Sequence, residues 1–466
     1  MANKITSIRS SEVLDTNRFE PKMYLFQLKL RKAKEKYQFV VLGDEKIATD
    51  IKRGQSPKPE TYKDKNSGKY IFIRTADVKK YQANTESAVY LDEKTFATQK
   101  SNRIAAGDIL ISVVGNYLGS TCVIPDNIEI GSFNDNSAKI KIVDRNISPY
   151  YVSAFLNSVF GQNLILSLAT RTGQKIISAG NVKKLCLPLI DDNKDIVHKY
   201  EKAIMLETKS NTLISKAQKF FYDKIGIDFK AIAKESTFTA NTRDFVNADL
   251  WIPMYSYPLY VNTLKAISDK WQTVNVGAIT DLKKGKEVGS DNYIGYLDKR
   301  ETDVPFIRTS DIVNYGIDQY TDFYAPLEFY NDFNQGFQKD DVLFSKDGKI
   351  GMVGMITQND KAIISSGFAG LRLNKKAKEY GITPEYLFLA LSIKEIGIYA
   401  SKRRTVVAST IPHLREERLK EIEIPILDKN VIDEITDLVK QAFQLKDEKK
   451  RMIAEVRETM DGYFEI

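Results

Sequence analysis

The sequence predicts an α+β protein made of two repeated domains, each a twisted β-sheet with helices, and a pair of long antiparallel coiled-coil helices that separates them. A repeat supports the two domains: the segment IRTADV at 73–78 returns 234 positions later as IRTSDI at 307–312. Apolar residues at helical spacing after each copy support the long helices. The repeat and the helices together predict the order of domains and long helices along the chain.

The flanks of this echo indicate two copies of one module. Matching segments keep the same order in both copies, and their offset stays between 231 and 237 positions. A nearly constant offset over several anchors indicates divergence from one module rather than chance. The pairs are IKRG (51–54) with LKKG (282–285), GDILIS (107–112) with KDDVLFS (339–345), SPYY (148–151) with TPEY (383–386), and LPL (187–189) with IPI (424–426).

The repeat also predicts the domain boundaries. Each copy begins with an arm that carries a short helix, predicted at 25–37 and at 259–271, before a glycine marks the start of the module proper. The predicted segments are an N-terminal arm (1–42), a first repeated domain (43–190), a central long helix (191–226), a connector with the second arm (227–274), a second repeated domain (275–427) and a C-terminal long helix (428–466).

Within each repeated domain, short β-rich runs alternate with Gly, Pro and Asn, and one amphipathic helix interrupts them. The helix begins at Pro149 in copy one and at Pro384 in copy two, because proline fits the first turn of a helix. We interpret each module as one twisted sheet with helices on one side. The predicted strands are 70–73, 109–114, 121–124 and 138–143 in copy one, and 306–307, 342–344, 352–356 and 370–373 in copy two.

The two long helices carry apolar stripes with mostly three- and four-residue steps, from Ile196 to Phe220 and from Ile432 to Val456. A helix of about 30 residues is ~45 Å long, so neither stripe is expected to remain exposed to water. We expect the two stripes to pack on each other. The connector at about 227–246 is long enough to allow an antiparallel pair.

Composition limits the classes of function. The chain of 466 residues has a net charge of +8 and a pI of about 8.9, which permits a polyanionic partner without requiring one. Two cysteines and two histidines argue against a disulfide framework and a zinc site. No apolar run approaches the ~20 residues of a membrane span, and the polar start is no signal peptide, so we expect a soluble cytoplasmic protein.

Motifs of common enzyme chemistry are missing. The sequence has no G-x-x-x-x-G-K-[ST], G-x-G-x-x-G, G-x-S-x-G or H-E-x-x-H, and no Asn/Asp-Pro-Pro-aromatic tetrapeptide of the kind used by amino-methylating enzymes. Pro125-Asp126 with Glu129 is a partial nuclease match without its lysine, so a turn is the better interpretation. We therefore expect no catalytic residues and no metal ligands in this chain.

Polar and basic side chains recur instead in loops at equivalent places of the two copies. Lys, Arg and small hydroxyls bind phosphates, whereas Arg, Gln and Asn can bond to base edges. The alternative is an ordinary solvated surface. The candidate DNA-binding residues are Lys52, Arg53, Gln55, Ser56, Lys58, Arg74, Thr75, Asn116, Tyr117, Arg171, Thr172, Gln174 and Lys175 in copy one, and Lys283, Lys284, Lys286, Arg308, Thr309, Lys346, Lys349, Lys402, Arg403, Arg404 and Thr405 in copy two.

Arg74 and Arg308 occupy identical positions in the repeat, each beside a threonine. Two interpretations stay open from the sequence. Each arginine either points from the sheet toward DNA or pairs with the aspartate three residues later, Asp77 or Asp311.

With these motifs in place, the chain resembles the specificity subunits of type I restriction-modification systems over nearly its whole length. The matching segments are GQSP (54–57), IRTADV (73–78), GDILIS (107–112) with Gly115 and Gly119, and the run from GQKIIS (173–178) to Leu187-Pro188. Copy two departs from the pattern, because GKEV (285–288) lacks Ser-Pro and the segment 402–409 lacks Gly-Gln. The resemblance therefore leaves the loop shapes of copy two open.

The resemblance implies two target-recognition domains that hang from a central antiparallel coiled coil, each reading one half of a split, asymmetric DNA site. It implies a non-catalytic subunit that binds no cofactor itself. Its partners would be double-stranded DNA, two methyltransferase subunits that bring S-adenosylmethionine and methylate adenine, and an endonuclease/translocase subunit that uses ATP and Mg.

Two other functions are open to the sequence. One is the recognition subunit of a related bipartite system, whose single partner combines methylation and cleavage. The other is a stand-alone enzyme that acts on DNA, which the missing motifs disfavour and which methyl transfer by the pure chain would support.

Overall fold

A computed structural model describes residues 21–170, 174–232, 234–235, 237–248, 250–408 and 411–465. The predicted arm residues 1–20 and the candidate DNA-binding residues Arg171 and Thr172 lie outside this part of the chain. The chain divides into two compact units. Unit 1 consists of Met1–Met205 with Arg451–Ile466, and unit 2 consists of Leu206–Lys450.

Unit 1 contains two four-stranded sheets. The first is antiparallel, with the strand order Ala48–Arg53, Ser137–Ile142, Ile109–Ser112, Thr121–Val123. The second has the order Val89–Leu91, Tyr70–Ile73, Gly131–Phe133, Arg103–Ile104, and its two middle strands are parallel. Two-stranded pairs join Gln38–Val41 to Cys186–Leu189 and Val78–Lys79 to Gln82–Ala83.

Unit 2 repeats this plan. Its antiparallel sheet has the order Thr280–Lys284, Phe368–Leu373, Val342–Ser345, Val353–Met355. Its mixed sheet has the order Ile294–Gly295, Phe323–Ala325, Val304–Ile307, Ile363–Ile364. Two-stranded pairs join Thr273–Asn275 to Glu423–Pro425, Ile312–Val313 to Gly316–Ile317, and Val406–Ala408 to Ile411–His413.

The α+β class and the predicted strands are therefore confirmed, but the prediction of one sheet per domain is wrong. Each copy has two four-stranded sheets because the strand before the Arg-Thr motif, Tyr70–Ile73 or Val304–Ile307, pairs with a short strand that the sequence did not suggest, Gly131–Phe133 or Ile363–Ile364. Strands of two or three residues are too short to show an alternating apolar pattern.

The single helix predicted after Pro149 is also wrong, because the helix breaks at Ser158. Pro149–Asn157 ends where Ser158 takes an extended backbone, and the Ser158 hydroxyl then accepts a hydrogen bond from the Gly161 amide and caps Val159–Leu168. In copy two, Pro384–Ser392 ends before a π-turn at Lys394–Ile398.

A glycine at each of these two breaks allows the chain to turn closely over the first helix. A Cβ on Gly161 would lie 2.0 Å from the Phe155 carbonyl oxygen, and one on Gly397 would lie 1.9 Å from that of Leu391. The remaining short helices are Pro21–Lys36, Glu93–Ala97, Ala179–Lys183, Thr242–Ala248, Pro258–Lys270, Val276–Ile279, Leu327–Phe333, Lys375–Glu379, Tyr399–Arg404 and Glu416–Lys420.

Both predicted long helices are present, at Lys194–Ile225 and Lys429–Gly462. Their antiparallel direction follows from contacts within unit 2, where rising numbers on the first helix meet falling numbers on the second. The Ser210 hydroxyl donates to the Ala442 carbonyl oxygen (2.9 Å), and the Lys446 ammonium donates to the Glu207 carboxylate (2.9 Å). In unit 1, Lys199 pairs with Glu455.

The apolar stripes of the long helices are part of a larger core. In unit 2, Phe221 and Val439 from the two helices join Tyr386 and Leu371 from the repeated domain in one buried cluster. In unit 1, the buried Tyr200 ring packs edge-on against Tyr81 at 5.6 Å. In each unit, the long-helix residues are thereby packed against the repeated domain of that unit. In the described part of the chain, no helix is both long enough and apolar enough to cross a membrane.

Candidate nucleic-acid interface

The candidate DNA-binding residues that the structure describes lie in four segments of each copy, which consist of loops and the adjoining ends of strands and helices. We call them the basic loop (52–58 and 283–288), the Arg-Thr turn (74–77 and 308–311), the glycine loop (113–119 and 346–351) and the closing loop (170–177 and 402–414). A fifth segment, the junction loop (133–137 and 364–368), bonds to three of them. The sequence did not suggest the junction loop, because its two copies, FNDNS and ISSGF, share no motif.

In each copy, two backbone hydrogen bonds attach the junction loop to its neighbours. One joins it to the basic loop, and the other joins it to the strand end before the Arg-Thr turn. The Gln55 amide donates to the Phe133 carbonyl oxygen (3.3 Å), and the Lys286 amide donates to that of Ile364 (2.9 Å). Likewise the Asn134 amide donates to Ile73 (3.1 Å). In copy two, the Ser365 amide donates to Ile307 (2.9 Å).

The glycine loop joins the same assembly and carries the closing loop with it. In copy one, the Val113 amide donates to Asn136 (3.0 Å) and the Gly115 amide donates to Lys175 (3.1 Å). In copy two, the Lys346 amide donates to Gly367 (2.8 Å) and the Gly348 amide donates to Pro412 (3.0 Å). The same backbone bonds thus form at matching repeat positions, so each copy brings its four loops to one place.

Arg74 and Arg308 each pair with the aspartate three residues later, as one of the two interpretations predicted. The Arg74 guanidinium donates to Asp77 (2.9 Å) and to the Ser87 carbonyl oxygen (2.9 Å). Arg308 pairs with Asp311 and Asp322 and lies over the Phe323 ring. The side chains of Asp77 and Asp311 are almost completely buried, so these ion pairs fix the turn.

Thr75 also has a structural role, because it is buried and its hydroxyl lies 3.0 Å from the amide oxygen of Asn134. Thr309 is half-buried, and its methyl group lies 3.0 Å from where a Cβ on Gly367 would stand. The two threonines therefore pack the Arg-Thr turn against the junction loop.

The basic loop of copy one presents mostly exposed side chains. Arg53, Gln55, Ser56 and Lys58 are all exposed. Asp135 of the junction loop orients two of them, because Arg53 Nε donates to its carbonyl oxygen (2.6 Å) and the Ser56 hydroxyl donates to its carboxylate (2.6 Å). This loop therefore exposes two basic side chains, Arg53 and Lys58, and two polar ones, Gln55 and Ser56.

Lys52 belongs to a different local arrangement, because it pairs with Asp50. Burial alone would raise the pKa of the Asp50 carboxyl, but hydrogen bonds from Lys139 and Lys52 outweigh it and lower that pKa. The charge of Lys52 is thus partly neutralised within the protein.

The rest of the copy-one surface comes from the glycine and closing loops. Tyr117 is half-buried under the Lys79 ammonium, which lies 4.3 Å from the ring centre. Gln174 and Lys175 are exposed, and Gln174 Nε2 lies 3.1 Å from where a Cβ on Gly115 would stand. Asn116 lies in the turn Gly115–Tyr117, and its side chain is outside the described part.

In copy two, lysines of the basic loop make contacts with other parts of the protein. Lys284 pairs with Glu416 (3.1 Å), and the exposed Lys286 donates to the Phe333 carbonyl oxygen (3.1 Å). Lys283 is half-buried. In the glycine loop, Lys349 is exposed, whereas Lys346 is largely buried and lies 3.6 Å from Asp347.

The cluster Lys402–Thr405 is not a uniform positive patch. Arg403 Nε donates to the Tyr255 carbonyl oxygen (2.6 Å) and its guanidinium lies over the Tyr255 ring. Arg404 pairs with Glu421 (3.2 Å), and its side chain is only 12% exposed. Thr405 bonds back to Ser401. Lys402 alone of these four is exposed.

Comparisons with known proteins show what part of the chain is similar to. The model of the Type I restriction modification DNA specificity domain matches residues 268–456, which hold copy two and most of the second long helix. No curated protein matches the chain in sequence.

Solved structures with a related course include the type I restriction-modification S subunit of M. genitalium (15% identity, 92% of this chain and 95% of that one, TM-score 0.34) and the HsdS subunit of Thermoanaerobacter tengcongensis (16%, 92% and 95%, TM-score 0.28). With TM-scores below 0.5, they add nothing to the family match. The second copy of the repeat and most of the second long helix are therefore similar to the type I restriction modification DNA specificity domain.

Proposed function

We propose that this chain is the DNA-recognition subunit of a type I restriction-modification system and reads a bipartite, asymmetric DNA site, one half with each copy of the repeat. The observation that carries the proposal is the pair of matching four-loop assemblies around the junction loops, because a common backbone presents different side chains in the two copies. Gln55 of copy one corresponds to Lys286 of copy two, for example. Two different surfaces on one scaffold suit two different half-sites.

The site residues follow from exposure. Arg53, Gln55, Ser56, Lys58, Gln174 and Lys175 would contact the first half-site, and Lys284, Lys286, Lys349 and Lys402 the second. Most of the lysines and arginines would bind phosphates, whereas Gln55, Gln174 and Lys286, which corresponds to Gln55, would bond to base edges. Arg74, Arg308, Arg403 and Arg404 would act by holding loops in place, since each is engaged by the protein.

The chain itself would be non-catalytic. In the described part, no group of three or more His, Cys, Asp or Glu side chains is arranged to hold a metal ion. Two methyltransferase subunits would supply S-adenosylmethionine and methylate adenine, and an endonuclease/translocase subunit would supply ATP and Mg chemistry. The complex would work in the cytoplasm, where it meets foreign DNA.

Methylation mapping tests this proposal. The full chain is reconstituted with its methyltransferase subunits, and methylated adenines on a random-sequence library are located by sequencing. The wild-type complex should give a motif with two different halves and unread bases between them. Gln55→Ala should relax one half and Lys286→Ala the other, because the two side chains lie in different copies.

A matched control is Gln358→Ala, since Gln358 is also exposed but lies outside the four loops. It should leave both halves unchanged. A single continuous motif, or the same half altered by both test substitutions, would contradict the proposal.

A further inference from the structure

The closing loop of copy two contains a pair of short strands. Val406–Ala408 and Ile411–His413 form an antiparallel hairpin, here called the closing hairpin. The base of this strand pair has a counterpart in copy one, where Val114 bridges Ile176 as Asp347 bridges His413 in copy two, and where the Thr170 amide donates to the Ile176 carbonyl oxygen (2.8 Å).

Both faces of the closing hairpin carry an exposed β-branched side chain. Val407 pairs with Pro412, and Ile411 pairs with the neighbouring Ala408, so Val407 and Ile411 project from opposite faces. Val407 is 62% exposed and Ile411 is 59% exposed. Both side chains are therefore open to contact with a partner that approaches the hairpin.

The base of the closing hairpin is fixed to the glycine loop. The Gly348 amide donates to the Pro412 carbonyl oxygen (3.0 Å), and the Leu414 amide donates to that of Lys346 (2.8 Å). The His413 ring contacts the Asp347 carboxylate. The hairpin therefore projects from the four-loop assembly with a defined base.

Positive charge surrounds this base. Lys402 and Arg415, which flank the hairpin in the chain, are exposed, and so is Lys349 of the glycine loop. Such side chains bind phosphates. A ribbon of two strands fits the DNA major groove, which is about 12 Å wide, and apolar side chains there can contact the C5 methyl group of thymine.

We infer that the closing hairpin enters the major groove of the half-site read by copy two, where the side chain on the face toward the bases, Val407 or Ile411, contacts thymine methyl groups. This inference rests on the proposed function and adds a chemical rule to it. One half-site would be read mainly by polar side chains, and the other would require thymine where the hairpin lies.

Uracil substitution tests the contact, because deoxyuridine pairs like thymidine but lacks the C5 methyl group. The full chain is assembled with its methyltransferase subunits, and binding to duplexes is measured by fluorescence anisotropy at fixed salt. The half-site of copy two is the one altered by Lys286→Ala in the methylation map. Replacing a contacted thymine by uracil should weaken wild-type binding about four-fold, the effect of one buried methyl-sized group.

Variants of the hairpin decide which side chain makes the contact. Val407→Ala or Ile411→Ala should bind the thymine duplex more weakly and lose the further effect of uracil at one position. Val407→Thr keeps the β-branched shape that favours a strand, so it separates a lost contact from a lost hairpin. Val246→Ala is the matched control, since Val246 is 58% exposed but lies on the helix Thr242–Ala248.

Three results would overturn the inference: a copy-two half-site without thymine, equal uracil effects in the wild-type and hairpin variants, or no uracil effect at all. Increased 2-aminopurine fluorescence without a uracil effect would mean that the side chains unstack a base step instead. Sequence-specific binding without a uracil effect rejects only this inference. Absence of any sequence-specific binding by the wild-type complex rejects the proposed function.

Discussion

Glu207→Gln should destabilise unit 2 by about 3 kcal/mol, because Glu207 is the anion of a buried ion cluster between the long helices. Lys446 Nζ lies 2.9 Å from one carboxylate oxygen, and Lys449 Nζ lies 2.8 Å from the other. The side chains of Glu207 and Lys446 are 9% and 2% exposed. Removing one member of a buried ion pair leaves an uncompensated charge, which typically costs about 3–5 kcal/mol.

The pKa of Glu207 gives a similar magnitude. Burial alone would raise this pKa, but the attraction and hydrogen bonds of Lys446 and Lys449 outweigh burial and lower it from 4.5 to about 2. At about 1.36 kcal/mol per pKa unit, that difference corresponds to roughly 3 kcal/mol. Because the folded state binds the proton less tightly than the unfolded state, this stabilisation is complete above about pH 4.5 and is lost as the pH falls toward about 2.

Tryptophan fluorescence measures the effect in the right unit, because the chain has two tryptophans and both, Trp251 and Trp271, lie in unit 2. The half-buried Trp271 indole donates to the Ile225 carbonyl oxygen (3.0 Å) at the end of the first long helix. Urea unfolding at pH 7 should therefore show the loss in Glu207→Gln. Between about pH 4.5 and pH 2, wild-type and variant should converge.

The control is Asp269→Asn, which removes an exposed ion pair from the same unit. The side chains of Lys265 and Asp269 are 66% and 59% exposed, so this change should cost about 1 kcal/mol or less. Equal losses in the two variants, or a difference between wild-type and Glu207→Gln that does not shrink in acid, would refute the assignment of Glu207 as a charged, buried partner.

Three further predictions concern binding and assembly. Lys402→Ala should reduce the slope of log affinity against log salt by about 0.9, whereas Arg404→Ala should lower the melting temperature because Arg404 pairs with Glu421; equal slope changes would contradict this distinction. The isolated chain should bind no S-adenosylmethionine by calorimetry, and adenine methylation without a partner would reject a non-catalytic subunit. Four-residue insertions in both long helices, within 201–210 and 440–449, should lengthen the unread spacer by one or two base pairs, since each insertion adds ~6 Å. A methylation map measures the spacer, and an unchanged spacer in an active variant would show that the helices do not set its length.

The repeat predicted the fold well because its anchors are backbone features that both copies need. Tyr151 and Tyr386 illustrate this: their hydroxyls donate to the carbonyl oxygens of Pro188 and Pro425, at 2.7 and 2.8 Å, in the matching Pro motifs. The long helices were predicted because 3.6-residue periodicity is strong over many turns. The second sheet was not, because its strands are short and paired by distant segments.

The candidate site was predicted only in part. The sequence located three loops that bond to the junction loop and the closing loop beside them, but not the junction loop itself, whose role depends on backbone amides and carbonyls. Nor could it separate exposed from engaged arginines: Arg404 is next to Lys402 in the chain, yet Glu421 and burial remove it from the surface. The pairing of Val406–Ala408 with Ile411–His413 could not be predicted either, because strands of three residues are too short to show an alternating apolar pattern.

Unit 1 is discontinuous in the chain, and this has a consequence for synthesis. Phe464 stacks on Phe160 at 4.3 Å and packs near Phe155, while Tyr463 donates to the Asp192 carbonyl oxygen (2.6 Å). A ribosome makes these partners after all of unit 2, whose residues 206–450 are contiguous. The unit that begins first is therefore completed last, contrary to the usual N-terminal-first order. Until then the nascent chain would expose the aromatic surface around Phe160, where a chaperone or a premature partner could bind.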